Sequence, residues 1–124
     1  MKTDIKSITI NGVEYVEKTS NTSGQLAKKT DGMDYVVVRG DRSGVFVGYM
    51  KKKDGREITL VNCRRLFYWN GAASLSQLAT EGVTKPKDCK FTVPANILVL
   101  DAIEILSVTE AAKKILEGVA VWKM

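Results

Sequence analysis

The sequence contains no histidine. That removes the commonest general base, the commonest metal ligand and every Ser–His or Cys–His nucleophile pair. Chemistry run by carboxylates or lysine stays open, but the expectation is a binding protein rather than an enzyme, with no cofactor and no metal. Cysteine is scarce as well: Cys63 and Cys89 stand alone. Two cysteines build no disulfide scaffold, and without histidine they build no zinc site. Both sit beside expected strands and read as reduced, partly buried thiols. Long apolar runs are also missing. The run Ile97–Leu100 is far short of the ~20 residues of a membrane-spanning helix. Met1-Lys2-Thr3-Asp4 is followed by no apolar stretch, so no secretory signal is expected and the cytosol is the expected location.

What is present is ordinary globular material. The 124 residues are 44% hydrophobic, enough for one core and too few for two typical domains. The formal net charge is +5, spread over Lys28-Lys29, Lys51-Lys52-Lys53, Arg64-Arg65 and Lys85/Lys87/Lys90. The lysine clusters in loops read as solvated faces and turns, whereas the paired arginines stand in an expected strand.

The pattern predicts a mostly antiparallel α+β fold. Asn11-Gly12 between alternating flanks predicts an N-terminal hairpin with a type I′ turn. Glu17 to Asp34 is polar and reads as a flexible linker, so residues 1–34 are expected to form an arm on a core domain of residues 35–124. Tyr35–Arg39, Val45–Met50 and Glu57–Trp69 read as strands, with turns at Gly40–Gly44 and Lys53–Gly55. Ser74 with Gln77 matches a capping box for a short helix that stops at Gly82. Lys90–Val93 is a short strand that Pro94 ends or places at an edge. Ile97–Val108 fits a helix or a strand, and its β-branched content favours strand. Thr109 can cap a second short helix, Glu110–Glu117, closed by Gly118.

Asn62 to Ser74 concentrates cations, aromatics and a helix start. Strand alternation places Cys63, Arg65, Phe67 and Trp69 on one face and Asn62, Arg64, Leu66 and Tyr68 on the other. Arg64 or Arg65 can grip a phosphate. Tyr68 or Trp69 can stack on a base. The helix start at Ser74 can receive an anion. Arg39 and Arg42, around the Gly40–Gly44 turn, complete the candidate ligand-binding set. The competing structural reading is a buried strand, with Phe67 and Trp69 in the core and Arg65 packed on a ring and paired with Glu57 or Glu104. Asp101 and Glu104 lie in an apolar stretch, where a solvent-facing edge is favoured over an acid–base pair.

The stretch Asn62-Cys63-Arg64-Arg65-Leu66-Phe67-Tyr68-Trp69, followed by Gly71-Ala72-Ala73-Ser74-Leu75-Ser76-Gln77-Leu78-Ala79, resembles a family of small phage and prophage proteins. Lys85-Pro86, Cys89-Lys90-Phe91, Ile103-Glu104-Ile105 and Val121-Trp122-Lys123 extend the resemblance. It implies phage origin more than an activity. In size and character the chain is similar to the anti-Thoeris and anti-CBASS sponges, which sequester nucleotide-derived immune signals without cleaving them. The expected function is therefore sequestration, by a homo-oligomer, of a cyclic ADP-ribose-like or cyclic oligonucleotide ligand. The alternatives are a nucleic-acid binder and a protein-interaction module whose hairpin adds strands to a partner.

Overall fold

The third strand in the chain is apolar on both sides. In Asp34–Gly40, Tyr35 and Val37 enter one core while Val36 and Val38 enter another. Such a strand must be covered on both faces. The computed structural model describes residues 24–124 and the backbone of 3–10 and 13–16. β1 (Thr3–Ile10) and β2 (Val13–Val16) form an antiparallel hairpin in which Ile10 faces Val13. The turn residues Asn11 and Gly12 lie outside the described residues.

β3 (Asp34–Gly40), β4 (Val45–Asp54), β5 (Glu57–Tyr68), β6 (Lys90–Phe91), β7 (Ala95–Val99) and β8 (Ala102–Ser107) make one antiparallel sheet. Its order is β6-β5-β4-β3-β8, with β7 also paired to β5. Two helices follow the pattern of the caps, α1 (Leu75–Glu81) and α2 (Glu110–Glu117). The fold is α+β with a strand-rich antiparallel sheet. The first core lies between one sheet face and the helices and includes Leu78, Ala79, Ala112 and Leu116.

The second core explains how the other face is covered. β3 and β5 both run antiparallel to β4, so they run the same way. β7 is antiparallel to β5 and β8 is antiparallel to β3. Only Leu100 and Asp101 separate β7 from β8. The two are therefore one strand that bends at Leu100-Asp101, leaves the edge of β5 and joins the edge of β3. This wraps the β3–β4–β5 meander around Val36, Val38, Phe46, Ile58, Leu60, Cys63, Val99 and Ala102. The stretch Ile97–Val108 is strand, as its β-branched residues predict, but it is kinked in the middle.

Asp101 holds the kink. Its carboxylate accepts from Ser43 Oγ (2.6 Å) and from the backbone amides of Arg42 (2.8 Å) and Ser43 (3.2 Å). Those three donors, the hydroxyl above all, hold its carboxyl below the usual carboxylate range. Gly40 is required beside them, because a Cβ there would overlap the Ser43 side chain and press on Asp101. A second irregularity sits at Asn62, which adopts a left-handed backbone (φ 51°). Opposite it, the pairing passes from Tyr49–Val61 to Val47–Arg64, one residue longer on β5. This is a bulge. Gly48 faces it at close range; a Cβ on Gly48 would stand 2.7 Å from Cys63 Cα.

Of the expected linker, residues 17–23 lie outside the described residues. Its remainder is tied to the core rather than flexible. Ala27 N–H donates to Val108 O (2.8 Å), Glu110 N–H to Gln25 O (2.8 Å) and Lys28 N–H to Glu110 Oε1 (3.2 Å). Polar composition hid this, because all three bonds use main-chain groups of the segment, two of them to the main chain at Val108 and Glu110 and one to the Glu110 carboxylate. The helix caps form as their spacing predicts. Ser74 Oγ accepts from Gln77 N–H (3.1 Å) while Gln77 Oε1 accepts from Ala73 N–H (2.7 Å). Thr109 Oγ1 accepts from Ala112 N–H (3.1 Å) and donates to Thr80 O (2.7 Å), joining the two helices.

Arg64 fastens the C-terminal part of the chain. It is 6% exposed. Its Nε donates to Thr92 O (3.0 Å), Nη1 to Leu116 O (3.3 Å), and Nη2 to Phe91 O (3.3 Å) and Ala120 O (3.1 Å). The end of α2, the tail beyond it and the β6 region thus meet on one guanidinium. The carbonyls at a helix C-terminus attract a cation.

Replacing Arg64 leaves buried carbonyls without donors. Arg64→Ala is expected to lower unfolding free energy by about 3–5 kcal/mol, with Arg64→Lys intermediate, as read by urea denaturation. Asp101 gives a pH signature. Its native pKa is depressed, so the stability it lends is present above its unfolded value of about 4 and is lost as pH falls through the native value. Asp101→Asn is expected to flatten the acid limb of a Tm-against-pH curve below about pH 4 relative to the parent.

Candidate functional site

The residues singled out from the sequence separate onto three surfaces. Arg64 lies inside, on the helix face, with its N–H groups already donated to carbonyls. Arg65 lies on the opposite face, its guanidinium carbon 4.7 Å from the centroid of the Phe46 ring. It is exposed and packs on a ring, as one reading expected, but neither Glu57 nor Glu104 pairs with it among the described residues. Phe67 is exposed rather than in the core. Tyr68 is also exposed. Arg42 uses its backbone amide to bind Asp101.

Three of the candidates converge. Arg39, Trp69 and Ser74 line a single cleft of about 440 Å³, together with Val45, Leu75, Ser76 and Glu104. The sheet supplies its floor. Arg39 on β3 is paired across the ladder with Glu104 on β8, and their side chains meet at 3.8 Å with both largely exposed. The start of α1 supplies one wall. Trp69, half-buried against the first core, supplies another apolar surface. Trp69 reaches this face because the β5–β6 pairing shifts between Leu66 and Tyr68. Strict alternation had placed it with Arg65 and Phe67.

The chemistry on offer is a guanidinium, a carboxylate, two hydroxyls and an indole. The helix start is less open than its sequence suggests. The capping box already satisfies Gln77 N–H and Ala73 N–H. Glu104 and Val45 are the cleft residues that the sequence did not bring forward as binding groups. Their signal was present only as register: Arg39 faces both Val45 and Glu104 across neighbouring strands.

The two thiols stand apart from the cleft. Burial pushes the Cys63 thiol up to about 12, which keeps it protonated and unreactive. Cys89 is buried, lies 3.4 Å from Lys85 O and accepts from Asn70 N–H (3.4 Å). Among the described residues no group of three or more Cys, Asp or Glu side chains could hold a metal ion. No described helix is long and apolar enough to cross a membrane.

Comparison with known proteins adds the family and nothing beyond it. No curated protein and no solved structure matches the chain. One family model does, a domain of unknown function designated DUF6948, over residues 33–116. The match opens at Met33, just before β3, and closes at Leu116 within α2. It spans the sheet, both helix starts and the whole cleft, and on more than half of its length the chain belongs to the DUF6948 family.

Proposed function

We propose that the protein binds, without transforming, a small nucleotide-derived ligand in the cleft between Arg39, Trp69 and the start of α1. One observation carries the reading. Three residues of the candidate ligand-binding set, Arg39, Trp69 and Ser74, bring a guanidinium, an indole and a hydroxyl to the same 440 Å³ space. That volume lies within the range of small-molecule sites. Arg39 is paired with Glu104 only at 3.8 Å and remains largely exposed, so its N–H edge can turn to an anion. Trp69 presents a ring for a base. The cleft carries one carboxylate and no histidine or thiol, which favours holding a ligand over cleaving it. The likeness in size and character to phage sponges, an analogy of class rather than of motif, makes a cyclic ADP-ribose-like or cyclic oligonucleotide immune signal the ligand to test.

The same reading expects an oligomer. Leu98, Leu100 and Ile103 are exposed along the bent strand β7–β8, an apolar ridge that a second copy would cover. Sedimentation showing only monomer at micromolar concentration would count against this element.

Isothermal titration with cyclic ADP-ribose isomers and cyclic oligonucleotides tests the ligand. The expected result is saturable heat with one of them. Arg39→Ala is expected to weaken that binding at least about tenfold, the loss of one charge-assisted hydrogen bond. Trp69→Ala is expected to do the same through lost stacking. Absence of heat with every ligand, in a sample whose circular dichroism is native, ends the reading.

A further inference from the structure

A second surface, separate from the cleft, is organised around exposed rings. Phe67 on β5 and Trp122 in the C-terminal tail stack at 4.8 Å with their planes 17° apart. Even stacked, they are 62% and 39% exposed. A pair that served only to fasten the tail would be sealed. The tail is already fastened by Trp122 N–H to Phe91 O (2.8 Å), by the Phe91–Val121 bridge and by Arg64 on Ala120 O. The rings therefore stay open although other bonds hold the backbone.

One cation stands against the pair and a second lies two residues from it along β5. Lys90 Nζ lies 5.5 Å from the Trp122 ring centroid. Arg65, two residues before Phe67 on β5, holds its guanidinium carbon 4.7 Å from the centroid of the Phe46 ring and makes no ion pair among the described residues. Lys85, Lys87 and Lys123 adjoin it in the chain, against the single acid Asp88 in the stretch 85–90. Rings alone would suit a protein partner. Rings with cations nearby that make no ion pair among the described residues, on a chain of net charge +5, suit a polymer that offers a flat face and a negative charge at each repeat.

We infer that Arg65, Phe67, Trp122 and Lys90 form a docking track for single-stranded nucleic acid, with bases extending the Phe67–Trp122 stack and phosphates meeting the two flanking cations. Stacking on rings reads no base edge, so the track is sequence-tolerant and rejects a duplex, whose bases are already stacked.

Fluorescence anisotropy of the full chain with a labelled 20-nucleotide oligothymidylate tests this. Binding is expected at low salt, with the logarithm of the affinity falling linearly with that of the salt concentration. Phe67→Ala, at an exposed position, is expected to weaken binding about tenfold or more. Arg65→Gln and Lys90→Gln are each expected to flatten the salt slope by about 0.7. Circular dichroism confirms that each variant is folded. No binding at low salt overturns the inference. So does equal affinity for a duplex, or an affinity indifferent to Phe67→Ala, because either result reduces the effect to net charge. Dimerisation in sedimentation that Phe67→Ala abolishes, without oligonucleotide binding, reassigns the patch to a second copy of the chain.

Discussion

The guanidinium of Arg64 is the interaction on which the arrangement of this chain depends. Four carbonyls from three segments point at one buried cation. Each would need a donor if it were withdrawn from water on its own. A planar group with five N–H donors in fixed directions can serve all of them, and an ammonium group cannot. The same contact settles where the end of α2 lies relative to β6, and so where the tail emerges. Burial lowers the Arg64 pKa, while the nearby Tyr35 acts in the opposite direction. An arginine remains charged under such a shift.

The second constraint is the closure of the sheet. A meander of three strands with apolar residues on both faces has one face that the helices cannot reach. Bending β7–β8 across from the β5 edge to the β3 edge covers that face without adding another layer. It demands irregular backbone at two places. At the bend, Asp101 supplies acceptors to the amides that the turn leaves free. At the bulge, Asn62 takes a left-handed conformation, and Gly48 lets the strands approach. Both devices are local, and both determine which way the functional side chains of β5 and β8 face.

Those consequences separate the two arginines. Adjacent in sequence, Arg64 and Arg65 lie on opposite faces of a strand, one in a carbonyl cage and one on a ring. The reading that gathered both into one pocket joined residues that alternation must divide. Arg39, Trp69 and Ser74 come together instead, because β3, the end of β5 and the start of α1 border the same uncovered part of the helix face. Glu104 enters with Arg39 by cross-strand pairing. The exposed rings of Phe67 and Trp122 are not among the residues that line this cleft.

The sequence by itself determined the local structure. The Ser74–Gln77 box, the Thr109 cap, Gly82, the Gly40–Gly44 turn and the β-branched runs each depend on neighbours within a few residues, and each element appears where those residues place it. It also limited the chemistry, since a chain without histidine cannot form the commonest catalytic constellations. Only the tertiary structure decided which charges are enclosed and which are open. The Arg64 cage brings together residues 28 and 56 positions away from it, the Asp101 turn closes over 58 positions, and residues 25–28 are held by α2. Such contacts leave no periodic trace, because they join distant positions and most use main-chain groups, which look the same in every residue type. The bulge at Asn62 and the shift after Leu66 are equally silent in sequence, yet they set the side of the sheet on which each aromatic emerges.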